Sequence, residues 1–278
     1  MSWIMIGMKR FLLKHNWWFY FVLTFAISWS VWSIGNILLP ERLFTIALVL
    51  GAFGPFLSAI LIIRISRGKA VLKNWLRTIF NFKIPVSWYL LGGLLFPFII
   101  AAIHHLIYIV LGGQSGLELS TDWLLYPAYL IPTALFSGGN EEPGWRGYIT
   151  PVLLQRFNIL LVHIIVGIFW ASWHLLLYLQ GYWSSDQQSF VWLMIYCVPL
   201  SMILTWLYYK SKRSIIPVML MHAGSNVVFR YFPMNTQIFD SVEDEFSIIK
   251  TIIYATIAVI LLISTKGRLG YKKVELEF

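Results

Sequence analysis

Residues 157–180 read FNILLVHIIVGIFWASWHLLLYLQ, a run without a single Asp, Glu, Lys or Arg. As a helix rising about 1.5 Å per residue, it is long enough for the ~30 Å hydrocarbon core of a bilayer. Apolar stretches of near-spanning length recur at roughly 17–39, 42–64, 86–111, 123–140, 189–209, 214–232 and 247–265. The chain has 278 residues, 59% hydrophobic and only 12% charged, where a soluble domain carries about a quarter charged residues. These observations predict an all-α, polytopic integral membrane helical bundle of about eight transmembrane helices. Residues 1–278 then form a single membrane domain, with no room for a large soluble one. The lone cysteine, Cys197, excludes an internal disulfide.

A net charge of +9 invites a nucleic-acid reading, but its distribution argues against one. Basic residues alternate with the spans. Lys9, Arg10 and Lys14 precede the first, and Arg64, Arg67, Lys69, Lys73, Arg77 and Lys83 separate the second from the third. Arg146 and Arg156 follow the fourth, Lys210, Lys212 and Arg213 the sixth, and Lys266, Arg268, Lys272 and Lys273 form the tail. The intervening loops carry Glu118 and Asp122, then Asp186, then Asp240, Glu243, Asp244 and Glu245. By the positive-inside rule this predicts a multi-pass plasma (cytoplasmic) membrane protein with both termini cytoplasmic. Its partners are the lipid bilayer and not nucleic acid. Trp17-Trp18, Trp88-Tyr89, Trp123, Tyr182-Trp183 and Tyr208-Tyr209 sit at run ends, as interfacial aromatics do. The first run is too long for a signal peptide and reads as a retained helix. The basic, amphipathic segment 65–85 belongs on the membrane surface.

Against this background three polar spots stand out. Glu141-Glu142-Pro143-Gly144-Trp145-Arg146 follows the breaker-rich Ser137-Gly138-Gly139-Asn140. Ionisable groups cost roughly 2.5–3.5 kcal/mol each at a membrane helix centre, so a retained cluster is paired or used. Pro143 suits the first turn of a renewed helix. Glu142 and Arg146 then form an i,i+4 pair, while Glu141 points about 100° away. His174 lies in the fifth run. With a turn at Arg156-Phe157-Asn158, an antiparallel hairpin brings Glu141 and His174 to similar depth. His222 and Asn226 share a face of the seventh run, separated by Ala223, Gly224 and Ser225, which permit close helix approach. Each spot also has a plain reading: an acidic helix start, a packing histidine, interhelical glue. His104, His105 and His163 read as packing residues and His15 as interfacial.

Together the spots offer more. A carboxylate with a histidine in hydrogen-bond reach activates water, and histidine and asparagine donors stabilise the resulting oxyanion. The same residue types also suit a divalent metal such as zinc. No His-Glu-x-x-His, Gly-x-Gly-Asp or Gly-x-Ser-x-Gly motif occurs, which leaves a glutamate–histidine design.

At these residues the chain resembles the CPBP family of intramembrane endopeptidases, which spans CAAX prenyl proteases and bacteriocin-processing (Abi-like) proteins. Glu-Glu-x-x-x-Arg matches Glu141, Glu142 and Arg146, followed by Gly147. Phe-x-x-x-His matches at His174, with Trp170 in the phenylalanine position. His-x-x-x-Asn matches His222 and Asn226. The resemblance covers roughly residues 125–232. It implies hydrolysis of a peptide bond in a membrane-associated peptide or protein substrate, with lipidation by prenyl as one option. It further implies Glu141 as general base assisted by His174, Glu142 paired with Arg146, and His222 and Asn226 as oxyanion donors. Zinc and metal-free chemistry both remain open, as does a metalloprotease class. The competing readings are a non-catalytic membrane protein, such as a bacteriocin-immunity partner, and a transporter. No internal inverted repeat supports the latter.

Overall fold

The computed structural model describes residues 15–117, 121–183, 189–234 and 242–273, without the side chains of residues 121 and 242–245. Of the charge pattern, Lys9, Arg10, Lys14, Glu118, Asp186 and Asp240 lie outside the described residues, as do the side chains of Glu243, Asp244 and Glu245.

Among the described residues the regular structure is helical throughout, with no named strand. The helices are α1 (Asn16–Leu38), α2 (Glu41–Ser66), α3 (Lys69–Ile79), α4 (Val86–Val110) and α5 (Tyr126–Phe136). They continue with α6 (residues 142–154), α7 (Ile159–Leu179), α8 (Phe190–Lys210), α9 (Ile216–Val227) and α10 (Val242–Ser264). Six of them are long and apolar enough to cross a bilayer: α1, α2, α4, α7, α8 and, from Phe246, α10. A polytopic helical membrane bundle is the architecture.

The fourth and seventh apolar runs fold less simply than hydropathy alone suggests. The fourth gives the short α5, which ends at Phe136, then Gly138 with φ +125°, and a 3-10 turn Gly139–Glu141 before α6. The seventh gives α9 followed by a 3-10 turn Val228–Tyr231. Irregular backbone at membrane depth is tolerated where protein buries it or where it lines a cavity. Gly138 and Glu141 line a cavity, and Glu141 is buried.

The hairpin turn falls where expected. Asn158 caps α7, its Oδ1 accepting the Leu161 N–H at 2.9 Å, so one of the unpaired amides of the first turn is satisfied. From there α7 packs along α8, and α8 along α10. On the other side α1 packs on α2, α2 on α6, and α9 on α5 and α4. Near the hairpin, Gln155 Nε2 donates to Tyr271 Oη at 2.9 Å, and Tyr271 packs on Tyr209. Ile215 N–H donates to Ile79 O at 2.7 Å. The amphipathic α3 buries Trp75 and Ile79 and exposes Lys69, Lys73 and Arg77.

Gly144 lets α6 lie against α2. A Cβ there would meet the Pro55 backbone and stand 2.6 Å from the Tyr20 hydroxyl. A Cβ at Gly147 meets only Ile79 and Trp75 side chains, at 3.4 Å and beyond. Overpacking costs about 1–3 kcal/mol. Gly144→Ala should therefore lower the unfolding temperature in detergent, whereas Gly147→Ala should leave it nearly unchanged.

Candidate active site

The α5–α6 connection is built to carry two carboxylates into the bundle. Gly138 N–H donates to Asn140 Oδ1 at 3.0 Å, and Glu141 N–H to Gly138 O at 3.0 Å, which closes a tight turn. Only glycine adopts φ +125° without strain. Pro143 occupies the first turn of the renewed helix, where its missing N–H costs nothing. The next turn, Trp145–Ile149, widens to a π-helix, a feature frequent at functional sites. Side chains take up carbonyls in this stretch. Trp75 Nε1 donates to Gly147 O at 2.9 Å, and Thr150 Oγ1 to Trp145 O at 2.7 Å.

Glu142 and Arg146 are both fully buried, with Oε1 and Nη1 2.9 Å apart. The same Oε1 is 2.7 Å from His222 Nδ1 on α9. With a carboxylate at that distance Nδ1 is the protonated nitrogen, and Nε2 is left facing the cavity. The Arg146 guanidinium also lies 4.2 Å over the Trp170 ring centroid, and that ring meets His222 edge-on at 5.2 Å. Four residues from three helices thus form one buried unit.

Glu141 belongs to a different set of contacts. Its Oε2 accepts the Trp170 indole N–H at 2.8 Å. One turn further along α7, His174 Nδ1 is 3.0 Å from Trp170 O, so its Nε2 is also free of the backbone. Trp183 stacks on His174 at 4.6 Å, lining the cavity where an interfacial position was expected. Glu141, His174, His222 and Asn226 line a single cavity of about 520 Å³, together with Ser137 and Lys250. Asn226 and His222 converge beside Gly138. A methyl group built on Gly138 would stand 2.8 Å from Asn226 Nδ2 and 3.2 Å from His222 Nε2. Two polar nitrogens therefore address one small volume at hydrogen-bond distance.

All six predicted residues come together, in two tiers: Glu141, His174, His222 and Asn226 on the cavity, Glu142 and Arg146 behind it. The remaining intramembrane histidines do not join them. His104 bonds to Phe246 O at 3.2 Å, His105 to Ser115 Oγ at 2.8 Å and His163 to Ser201 Oγ at 2.9 Å. The donors do not fit a resident zinc. Among the described residues no three His, Cys, Asp or Glu side chains group as a metal set, and Glu142 is already engaged by Arg146 and His222. Two contributors were missed from sequence. Trp170 stands in the sequence only as the residue in the phenylalanine position, although an indole four residues before a histidine can present its N–H on the same face. Lys250 is the one charged residue in the run 246–264 and was passed over.

The family model for type II CAAX prenyl endopeptidase, Rce1-like, matches residues 123–228, from the start of α5 to the end of α9. CAAX prenyl protease 2 of Methanococcus maripaludis is 26% identical over 232 residues, covering 75% of this chain and 82% of that protein. Both matches support the CPBP family for this chain. CPBP relationship supports an intramembrane peptide hydrolase, and the described helices supply the multi-pass membrane scaffold.

Breaking a buried ion pair costs about 3–5 kcal/mol, because the partner charge is left without compensation. Arg146→Ala should therefore destabilise the protein by about that amount, read by denaturant or thermal unfolding in detergent. Arg146→Ala combined with Glu142→Ala should cost less than the sum of the two single changes.

Proposed function

We propose that this CPBP protein is an intramembrane endopeptidase that hydrolyses a peptide bond of a membrane-associated substrate by water activated at Glu141. The observation that carries this reading is the joint placement of four groups on one cavity. A carboxylate and a free imidazole nitrogen lie there with two polar nitrogens converging beside Gly138.

In the proposed reaction Glu141 takes a proton from water as the oxygen attacks the substrate carbonyl carbon. The Trp170 N–H holds one carboxylate oxygen, leaving the other for the water. His174 Nε2 orients that water as an acceptor, since Nδ1 is held by Trp170 O. The oxyanion of the tetrahedral intermediate receives hydrogen bonds from Asn226 Nδ2 and His222 Nε2. His222 donates from Nε2 only when doubly protonated, and Glu142 is the counter-charge which that form requires. On collapse the C–N bond breaks and the proton on Glu141 passes to the departing amine. The new acid and amine are the two product peptides, so the water is fully consumed.

The relative's name, CAAX prenyl protease 2, suggests a prenylated peptide as the substrate class. The apolar cavity wall of Trp32, Leu48, Ala52, Leu177 and Leu193 suits such a group. A plasma-membrane location with both termini cytoplasmic is the topology that the basic loops favour.

Purified protein in detergent should cleave a membrane-embedded or prenylated peptide. Glu141→Ala should reduce the rate at least about a hundredfold, in keeping with loss of a general base. Full activity in that variant would overturn the mechanism. Peptide-independent solute flux or toxin resistance that survives the change would favour a transporter or an immunity partner. Trp170→Phe keeps the ring but removes the N–H donor to Glu141. It should lower kcat about tenfold or more, because a hydrogen bond to a charged group contributes about 1.5–3 kcal/mol. Its KM should change little.

A further inference from the structure

Lys250 is a buried cation just inside the start of the apolar stretch of α10, and the mechanism above does not use it. It is the one charged residue between Phe246 and Ser264, it is 7% exposed, and it lines the same cavity as Glu141 and His174. Its Nζ lies 4.3 Å from the Tyr196 ring centroid, 5.3 Å from that of Phe246 and 6.0 Å from that of Phe229. Among the described residues no carboxylate pairs with it. Glu142 is held by Arg146 and His222, and Glu141 by Trp170.

Aromatic faces attract an ammonium group through their negative quadrupole, but they accept none of its three N–H bonds directionally. A cation kept inside a membrane domain without an acid marks a site of use. Among the described residues no acid supplies the opposite charge, which a ligand filling the cavity would bring. A single ammonium is a point charge that matches one monoanion, whereas phosphate groups are typically met by clustered cations or bidentate arginine.

We propose that Lys250 is a substrate-binding residue whose ammonium, cradled by Tyr196, Phe229 and Phe246 in the cavity wall, receives a carboxylate of the bound peptide. This rests on the reading of the cavity as a peptidase site. The carboxylate is either the chain terminus or an acidic side chain, and both present the same chemistry to the lysine. The remaining polar groups then act on a peptide anchored at one end by charge.

Three peptides of one apolar sequence bearing an S-farnesyl cysteine separate these possibilities. One ends in a free acid, one in an amide, and one in an amide with Glu as its last residue. Affinity is measured by tryptophan fluorescence with Glu141→Gln protein in nanodiscs, so that turnover does not deplete the ligand. The free acid should bind about tenfold or more tightly than the plain amide, as expected for a charge-assisted contact. That ratio should fall to near one in Lys250→Met and persist in Lys250→Arg. Lys250→Gln gives the same comparison if the methionine variant folds poorly. Recovery of affinity by the Glu-bearing amide assigns the contact to any carboxylate, and no recovery assigns it to the chain terminus. Equal affinities, no binding of any peptide, or a preference that survives Lys250→Met would overturn the proposal. Cleavage by the wild-type protein is scored separately. Preference without cleavage refutes the peptidase reading alone, and cleavage without preference refutes the lysine site alone.

Discussion

The Glu142 carboxylate, buried between Arg146 and His222, is the contact on which the rest of the site depends. Burying a charge is expensive unless it is paired and hydrogen-bonded. Arg146 supplies the opposite charge one turn away on α6, and the indole of Trp170 covers the guanidinium. His222 brings in α9, so one carboxylate ties together two segments eighty positions apart in sequence. The tie also sets which imidazole nitrogen is free. In the proposed mechanism, Glu142 works by positioning and Glu141, one residue earlier, works on water.

Such a tie requires backbone that ordinary membrane helices do not offer. The left-handed Gly138, the short 3-10 turn after it and the π-turn at Trp145–Ile149 aim consecutive side chains in different directions. Each irregularity leaves polar backbone groups inside the bundle without their regular helical partners. Side chains from elsewhere meet part of that need, notably Trp75 on the amphipathic α3. The amphipathic α3 is therefore coupled through Gly147 O to the turn that carries Arg146. Gly144 adds the closeness to α2 that keeps the segment enclosed.

Hydropathy made the six long spans legible, and the Glu-Glu-x-x-x-Arg spacing made the Glu142–Arg146 pair legible, because both depend on local periodicity. The hairpin count from Arg156–Asn158 put Glu141 and His174 at one depth, since two helical arms measure distance reliably. Ser137-Gly138-Gly139-Asn140 and Pro143 signalled the break in the fourth run, whereas the 3-10 end of the seventh was not visible, because apolarity does not report on backbone dihedrals. Nor was the Glu142–His222 bond, which depends on how α9 rotates against α5 and α4. Trp170 illustrates a different limit. A tryptophan in a phenylalanine position reads as aromatic bulk until its N–H is seen to meet Glu141. Lys250 was overlooked because a lone lysine in an apolar run looks like noise until its aromatic neighbours are placed around it.

Two adjacent glutamates carry opposite duties, and paired Gln substitutions separate them. Unfolding and peptide cleavage would be measured side by side for Glu141→Gln and Glu142→Gln in the same detergent. Glu141→Gln should unfold at or above the wild-type temperature but not cleave, whereas Glu142→Gln should unfold at a distinctly lower temperature. A stable, inactive Glu142→Gln beside a cleaving Glu141→Gln would contradict this division of duties.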